Sequence, residues 1–299
     1  MKKTRILAVV VCVLAVANFT SAEIIRGIGI DFVTIGNAGN TADTVVMNDG
    51  TTGYGAVGYN YRIGKYEVTN AQWNTFTAAA GAPTGNPSSA YDNSGYWTGA
   101  QRPTDCVSWY EAAQFCNYLT SGDKSKGAYQ FDGNNTNPGN FLGINRVSSI
   151  STYGTAYFIP TEDEWYKAAY YKPNGSGYSK YANGQNTLPA ADNGWNYYGG
   201  SYNAPWNVGT GTQEQNGTFD IMGNVWEWNE SLYSFDSYRL FRGGSYDFMD
   251  DGRGSSLRHG STPSFEGDVG FRVAEIPEPA SAAIMTLASL FIALKRRKR

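Results

Sequence analysis

The side chains able to do acid–base, nucleophilic or metal chemistry are few in this 299-residue chain, and their spacing narrows what they could do. Histidine occurs once, as His259, so two- and three-histidine metal sites are excluded and any Ser-His-Asp or Cys-His arrangement would have to share that ring. Cysteine stands at 12, 106 and 116. Cys106 and Cys116 invite a disulfide. Yet Ser108 reads as a helix N-cap, and Cys116 lies about 12 Å along that helix at 1.5 Å per residue, beyond disulfide reach. Two small buried thiols are expected instead. Carboxylates crowd the segment holding Asp247, Asp250 and Asp251, a pattern that suits a polar or cationic ligand and equally a solvated acidic run. Arg242, Arg258 and Arg272 offer anion or glycan contacts, or internal ion pairs, the latter expected of Arg272. His259, beside Arg258, has the chemistry of a general base. Tyr197, Tyr198, Tyr202 and Trp206 stand among Asn and Gly, a mixture shared by sugar-binding surfaces and by aromatic plugs beneath long loops.

The elements that must position these groups announce themselves by their starts. Thr69-x-x-Gln72, Ser108-x-x-Glu111 and Thr161-x-x-Glu164 are three capping boxes, each followed by a face of Trp, Phe, Tyr and Ala, which predicts short amphipathic helices over 70–80, 109–119 and 162–171. Strand-like runs precede them at 61–68, 106–107 and 156–159. Stretches 81–104, 121–150 and 172–220 are dominated by Gly, Asn, Ser, Tyr and Pro, so turns should prevail and regular structure be sparse there. No repeat or long linker divides residues 23–276, which read as one domain.

The chain is 41% hydrophobic and 16% charged, composition for a packed core. Between 23 and 276 it carries 15 basic and 25 acidic residues, a balance of −10 that argues against a nucleic-acid groove. The ends read as addresses. A basic start, an apolar run from Ile6 to Ala17 and small residues up to Ala22 predict a signal peptide over 1–22. Pro277-Glu278-Pro279, an apolar run from Ala280 to Leu294 and the cluster Lys295 to Arg299 form a stop-transfer pattern. Residues 277–299 resemble the PEP-CTERM sorting signal of Gram-negative bacteria. That resemblance implies exosortase as a partner during export and contact with the membrane, transient or through the C-terminal helix. A cell-surface or extracellular location follows, with either tail removal or a lasting anchor.

The ordered blocks FVTIG (32–36), YRIGKYEVTNAQW (61–73), RPTDCVSWYEAAQFCNYL (102–119), YFIPTEDEWYKAAYY (157–171), FDIMGNVWEWNES (219–231), RLFRGGSYD (239–247) and GFRVAE (270–275) resemble the formylglycine-generating enzyme, or sulfatase-modifying factor, superfamily. The resemblance implies an α+β fold related to C-type lectin-like folds: a single compact domain with sparse regular structure and long loops. Catalytic relatives oxidise a substrate cysteine to formylglycine with copper held by two thiolates. The positions matching those thiols are Phe248 and Arg253, and neither side chain can ligate Cu(I), so no copper is expected. Ser245, the serine of the same block, is kept. Val273 replaces a cysteine that often follows GFR in catalytic relatives, which removes a partner for Cys116. The resemblance further implies calcium at Asp220, Gly223, Val225 and Glu227, hard oxygens suited to that ion. The alternative is a turn held by Trp226 and Trp228 with Glu227 paired to an arginine. A second calcium site would fall at Ala191 to Trp195, with Asp192 and Asn193 as candidates.

Together these readings lead to the expectation of an exported formylglycine-generating-enzyme-like domain without cysteine-oxidase activity. It would bind a glycan or an envelope or exopolysaccharide component, with Ser245, Asp247, Asp250, Asp251 and Arg258 as binding candidates. The competing expectation is an enzyme, either of the sulfatase-modifying type or another metal-dependent oxidase on the same scaffold, working through Asp247, Asp250, Asp251 and His259.

Overall fold

The computed structural model describes residues 22–276 apart from 93–94, 201–203, 234–236, 249–253 and 266. The signal-peptide segment up to residue 21 and the whole sorting-signal segment 277–299 lie outside the described residues, as do Asp250, Asp251 and Arg253. The described part opens with a hairpin, β1 (Glu23–Ile25) and β2 (Ile28–Ile30). Strands β3 (Phe32–Ile35) and β4 (Tyr61–Gly64) follow, then helices α1 (Asn70–Ala80) and α2 (Trp109–Ser121). A second hairpin, β5 (Tyr129–Phe131) and β6 (Phe141–Ile144), leads to α3 (Arg146–Tyr153). Then come β7 (Ala156–Phe158), α4 (Glu162–Tyr170), β8 (Trp226–Leu232), β9 (Arg239–Arg242), β10 (His259–Ser261), β11 (Val269–Gly270) and β12 (Ala274–Ile276).

Two four-stranded sheets, ordered β3-β4-β12-β7 and β10-β9-β8-β11, are the frame. β12, the last described strand, is inserted antiparallel between β4 and β7. β11 runs parallel to β8, and the remaining neighbours in both sheets are antiparallel. The fold is α+β, one domain, with few helices.

All three capping boxes form in full: Thr69, Ser108 and Thr161 each accept the backbone N–H three residues on, and Gln72, Glu111 and Glu164 each reach back to the cap N–H. α2 extends two residues past the expected end, to a left-handed Gly122. α4 stops at Tyr170. The strand expected over 61–68 ends at Gly64: Lys65 still donates its N–H to Asp31, next to β3, whereas Val68 bonds to Phe271 outside that ladder. The turn-rich stretch 121–150 contains more order than expected, namely the β5–β6 hairpin and the start of α3. The helix is anchored at Arg146, whose buried guanidinium meets Glu164 (2.8 Å), Glu230 (2.9 Å) and the Ile159 carbonyl (2.8 Å).

The core has two lobes. One gathers Trp109, Phe115 and Cys116 of α2 with Trp228, Phe241 and Phe271. The other gathers Trp165, Tyr166 and Tyr170 of α4 with Tyr61, Ile63 and Ile221. Among the described residues no helix is long and apolar enough to cross a membrane.

Candidate functional site

The loop after β9 is where the resemblance places redox chemistry, and its side chains are arranged for packing. Ser245 is fully buried, and its Oγ has no hydrogen-bond partner among the described residues. Tyr246 Oη accepts the indole N–H of Trp97 at 3.1 Å. Phe248 meets Trp226 edge-on, centroids 4.8 Å apart, and His259 at 5.5 Å. His259 in turn stacks on Phe241, so the one imidazole belongs to an aromatic cluster. Phe248, which the resemblance matches to the first thiol, is thus a ring packed among rings. Asp247 is exposed.

Both remaining thiols are free and both are raised by burial. Cys116 is enclosed in the core. Cys106 is half-buried, against the expectation of burial, because it lies on a cavity wall; its φ of 54° is a left-handed conformation. Desolvation, reinforced by the neighbouring Asp105 charge, pushes its thiol up to about 11. Neither cysteine is a thiolate at neutral pH, the form that nucleophilic attack or copper binding needs.

That cavity, about 520 Å³, opens between Trp73 and Asn74 of α1, Trp97 of the following loop, and the Asp105–Cys106 segment. The loop is held by local polar contacts: Asn70 Nδ2 donates to the carbonyls of Trp97 (2.9 Å) and Gly99 (3.1 Å), and the Asp105 carboxylate accepts the Trp97 N–H at 3.5 Å. Burial raises Asp105 to about 6. The guanidinium of Arg102 lies over the Trp97 ring, 5.4 Å from its centre, and beyond Arg102 a second recess of about 430 Å³ is walled by Pro205 and Trp206. Trp206 therefore lines a recess, whereas Tyr197 is a buried plug. Trp73, Trp97 and Asp105 were not singled out in the sequence. Their signal, Trp97 inside the turn-rich GYWTG, resembles every other aromatic-bearing loop.

The carboxylate turn is built round one guanidinium. Gly223, at φ 95°, packs so tightly that a Cβ would overlap the Asn196 carbonyl. Glu67 accepts Asn224 Nδ2 (2.6 Å) and the Val225 N–H (3.2 Å), and Asp220 Oδ2 accepts the Gly209 N–H at 2.7 Å. Glu227 takes three donors: Nε and Nη2 of Arg272 and, at 2.6 Å, the Trp165 indole N–H. Glu227 is therefore not an open ligand but the partner of Arg272, the alternative weighed from sequence. With Glu214, four buried carboxyls influence one another around this cation. Burial first, then mutual repulsion, raises Glu67; burial raises Glu214 to about 8 and Asp220 to about 6. No three acidic, histidine or cysteine side chains converge on a metal position among the described residues. The oxygens of the turn suit calcium by type, while three donors already engage Glu227. The ion would rest on Asp220, the Gly223 and Val225 carbonyls, and the one lone pair that three donors leave on Glu227. Asp192 and Asn193, the candidates for a second ion, are exposed.

Arg258, a binding candidate from the sequence, borders a recess beside Tyr54 and Tyr233 but is committed to internal ion pairs. Its guanidinium is buried, paired to Glu162 through Nε (3.0 Å) and Nη2 (2.6 Å) and to Asp49 at 2.7 Å. The rings of Tyr54 and Tyr233 lie 4.9 and 5.2 Å from it. Arg242 shares Glu162.

Comparisons with known proteins agree with this architecture. The structure is similar to Treponema denticola variable protein 1 (TM-score 0.59, 21% identity, covering 86% of this chain and 98% of that one). It is also similar to CarF (0.61, 22%, 82% and 97%) and to PvdO from Pseudomonas aeruginosa (0.58, 18%, 83% and 94%); these likenesses concern the fold. In sequence it is 26% identical over 208 residues to a protein named chaperone protein LppX from Paenibacillus barcinonensis, covering 62% of this chain and 69% of that protein. The profile of the sulfatase-modifying factor enzyme 1-like domain matches residues 35–276, and the chain belongs to that family.

Proposed function

We propose that this protein is a non-oxidising member of its family, exported across the inner membrane, and that it binds a saccharide component of the envelope or exopolysaccharide matrix. The observation that carries the reading is the aromatic wedge at Phe248, packed on Trp226 and His259 where copper chemistry requires sulfur. The cavity between Trp73 and Trp97 supports a binding role, since aromatic and polar residues line it together and it has the size of a small-molecule site. The basic, apolar and Pro-Glu-Pro signatures of the two ends support export, processing by exosortase and a surface or extracellular location. Calcium at the Asp220–Glu227 turn would act as a structural ion, supported by the excess of buried carboxyls there.

Incubation with Cu(I), oxygen and a sulfatase-type cysteine peptide is expected to yield no formylglycine by mass spectrometry. Catalytic turnover would overturn the reading and restore the oxidase. A saccharide screen tests the binding role: a protein that binds no saccharide removes it, and a ligand lost in the Trp97→Ala variant belongs to the cavity.

A further inference from the structure

A third depression, about 420 Å³, lies between the β5–β6 hairpin and α3 and shares no lining residue with the Trp97 cavity. Its chemistry differs from the rest of this acidic domain. No carboxylate lines it, and its one cation, Lys126, already faces Asp123 at 3.5 Å, which disfavours a phosphate or other strong anion. At the rim stand two exposed apolar side chains, Leu142 (65% exposed) and Tyr153 (39%). Next to them, Gln130 offers both donor and acceptor from an exposed position on β5. At the floor Ser149 is buried, and its Oγ has no hydrogen-bond partner among the described residues, although a helical serine usually turns back to the carbonyl four residues earlier or faces solvent. Thr152, one turn on, does make that bond, to Ser148 at 2.8 Å.

We propose that this groove holds one neutral pyranose unit of a polysaccharide. A pyranose presents a C–H face and a girdle of hydroxyls. The face matches Tyr153 and Leu142, the hydroxyls match Gln130 and the uncommitted Ser149, and neutrality matches a lining without free charge. The inference rests on the saccharide-binding reading but assigns it to a groove that shares no lining residue with the Trp97 cavity.

The test uses the purified full-length chain, cellohexaose as neutral probe and hexagalacturonate as acidic probe, with calorimetry and saturation-transfer NMR. Cellohexaose is expected to bind more tightly than hexagalacturonate. Tyr153→Ala and Gln130→Ala should each weaken it about tenfold with Tm unchanged. Ser149→Ala should weaken it severalfold without lowering Tm, an opposite pairing from that of a merely structural serine. Trp97→Ala should leave it within about twofold. Unchanged affinity in the groove variants, preference for the acidic probe, or no binding of either probe would overturn the groove. Loss of binding in Trp97→Ala alone would overturn it too while upholding the cavity as the saccharide site.

Discussion

At Glu227 three N–H donors converge in a space closed to water, two of them from Arg272. Removing that guanidinium strands a buried carboxylate, so Arg272→Met is expected to cost about 3–5 kcal/mol in urea denaturation. Asp105 gives a smaller, pH-dependent effect. Its folded value, about 6, lies above its ordinary 3.8, so folding takes up a proton: its contribution is full below pH 3.8 and is lost as pH rises through 6. Asp105→Asn keeps an acceptor for the Trp97 N–H and removes the charge. The variant should match the parent at pH 4 and exceed it by about 1 kcal/mol at pH 8, after allowance for partial solvent screening. The expectation that Phe248 and Arg253 replace two thiols rests on the resemblance and on residue type alone, because ligand chemistry is a property of residue type. The fate of Arg258 could not be read that way, since Glu162 and Asp49 lie 96 and 209 residues away and only the tertiary fold brings them to it.

The helices that declared themselves were those with a local start signal, and α1, α2 and α4 each begin at their capping box. α3 has only an Asn145 cap and a run of Ser, Thr and Tyr with modest helix propensity, so its stability is borrowed from Arg146. Arg146→Met should therefore melt α3 selectively: hydrogen exchange is expected to show lost protection over 146–153 with α2 still protected. Uniform loss across both helices would instead mean that Arg146 holds the whole core. Strand length was overestimated at β4 for a related reason: the strand-like run continues past Gly64, while by Val68 the backbone bonds to Phe271 rather than along the β3–β4 ladder. The Trp97 cavity was illegible because its walls come from three segments, each ordinary alone.

Across the molecule, the most strained feature is the concentration of buried acid around a single cation. Glu214 titrates at about 8 rather than 4.5, so its contribution is complete below pH 4.5 and disappears as pH rises through 8. Tm is expected to fall between pH 6 and 9. Added calcium should raise Tm, and more at pH 8 than at pH 6, because ionised carboxylates bind it better; an EGTA-insensitive Tm at pH 8 would remove the ion from the turn. The insertion of β12 between β4 and β7 bears on the order in which the molecule comes together. β3 and β4 are made well before their neighbour and must keep an open edge through some 200 further residues, since β12 lies that far along the chain. The frame can close only once residues 274–276 are available, so a polypeptide stalled before residue 274 would display an unpaired β4 edge and invite association with another copy.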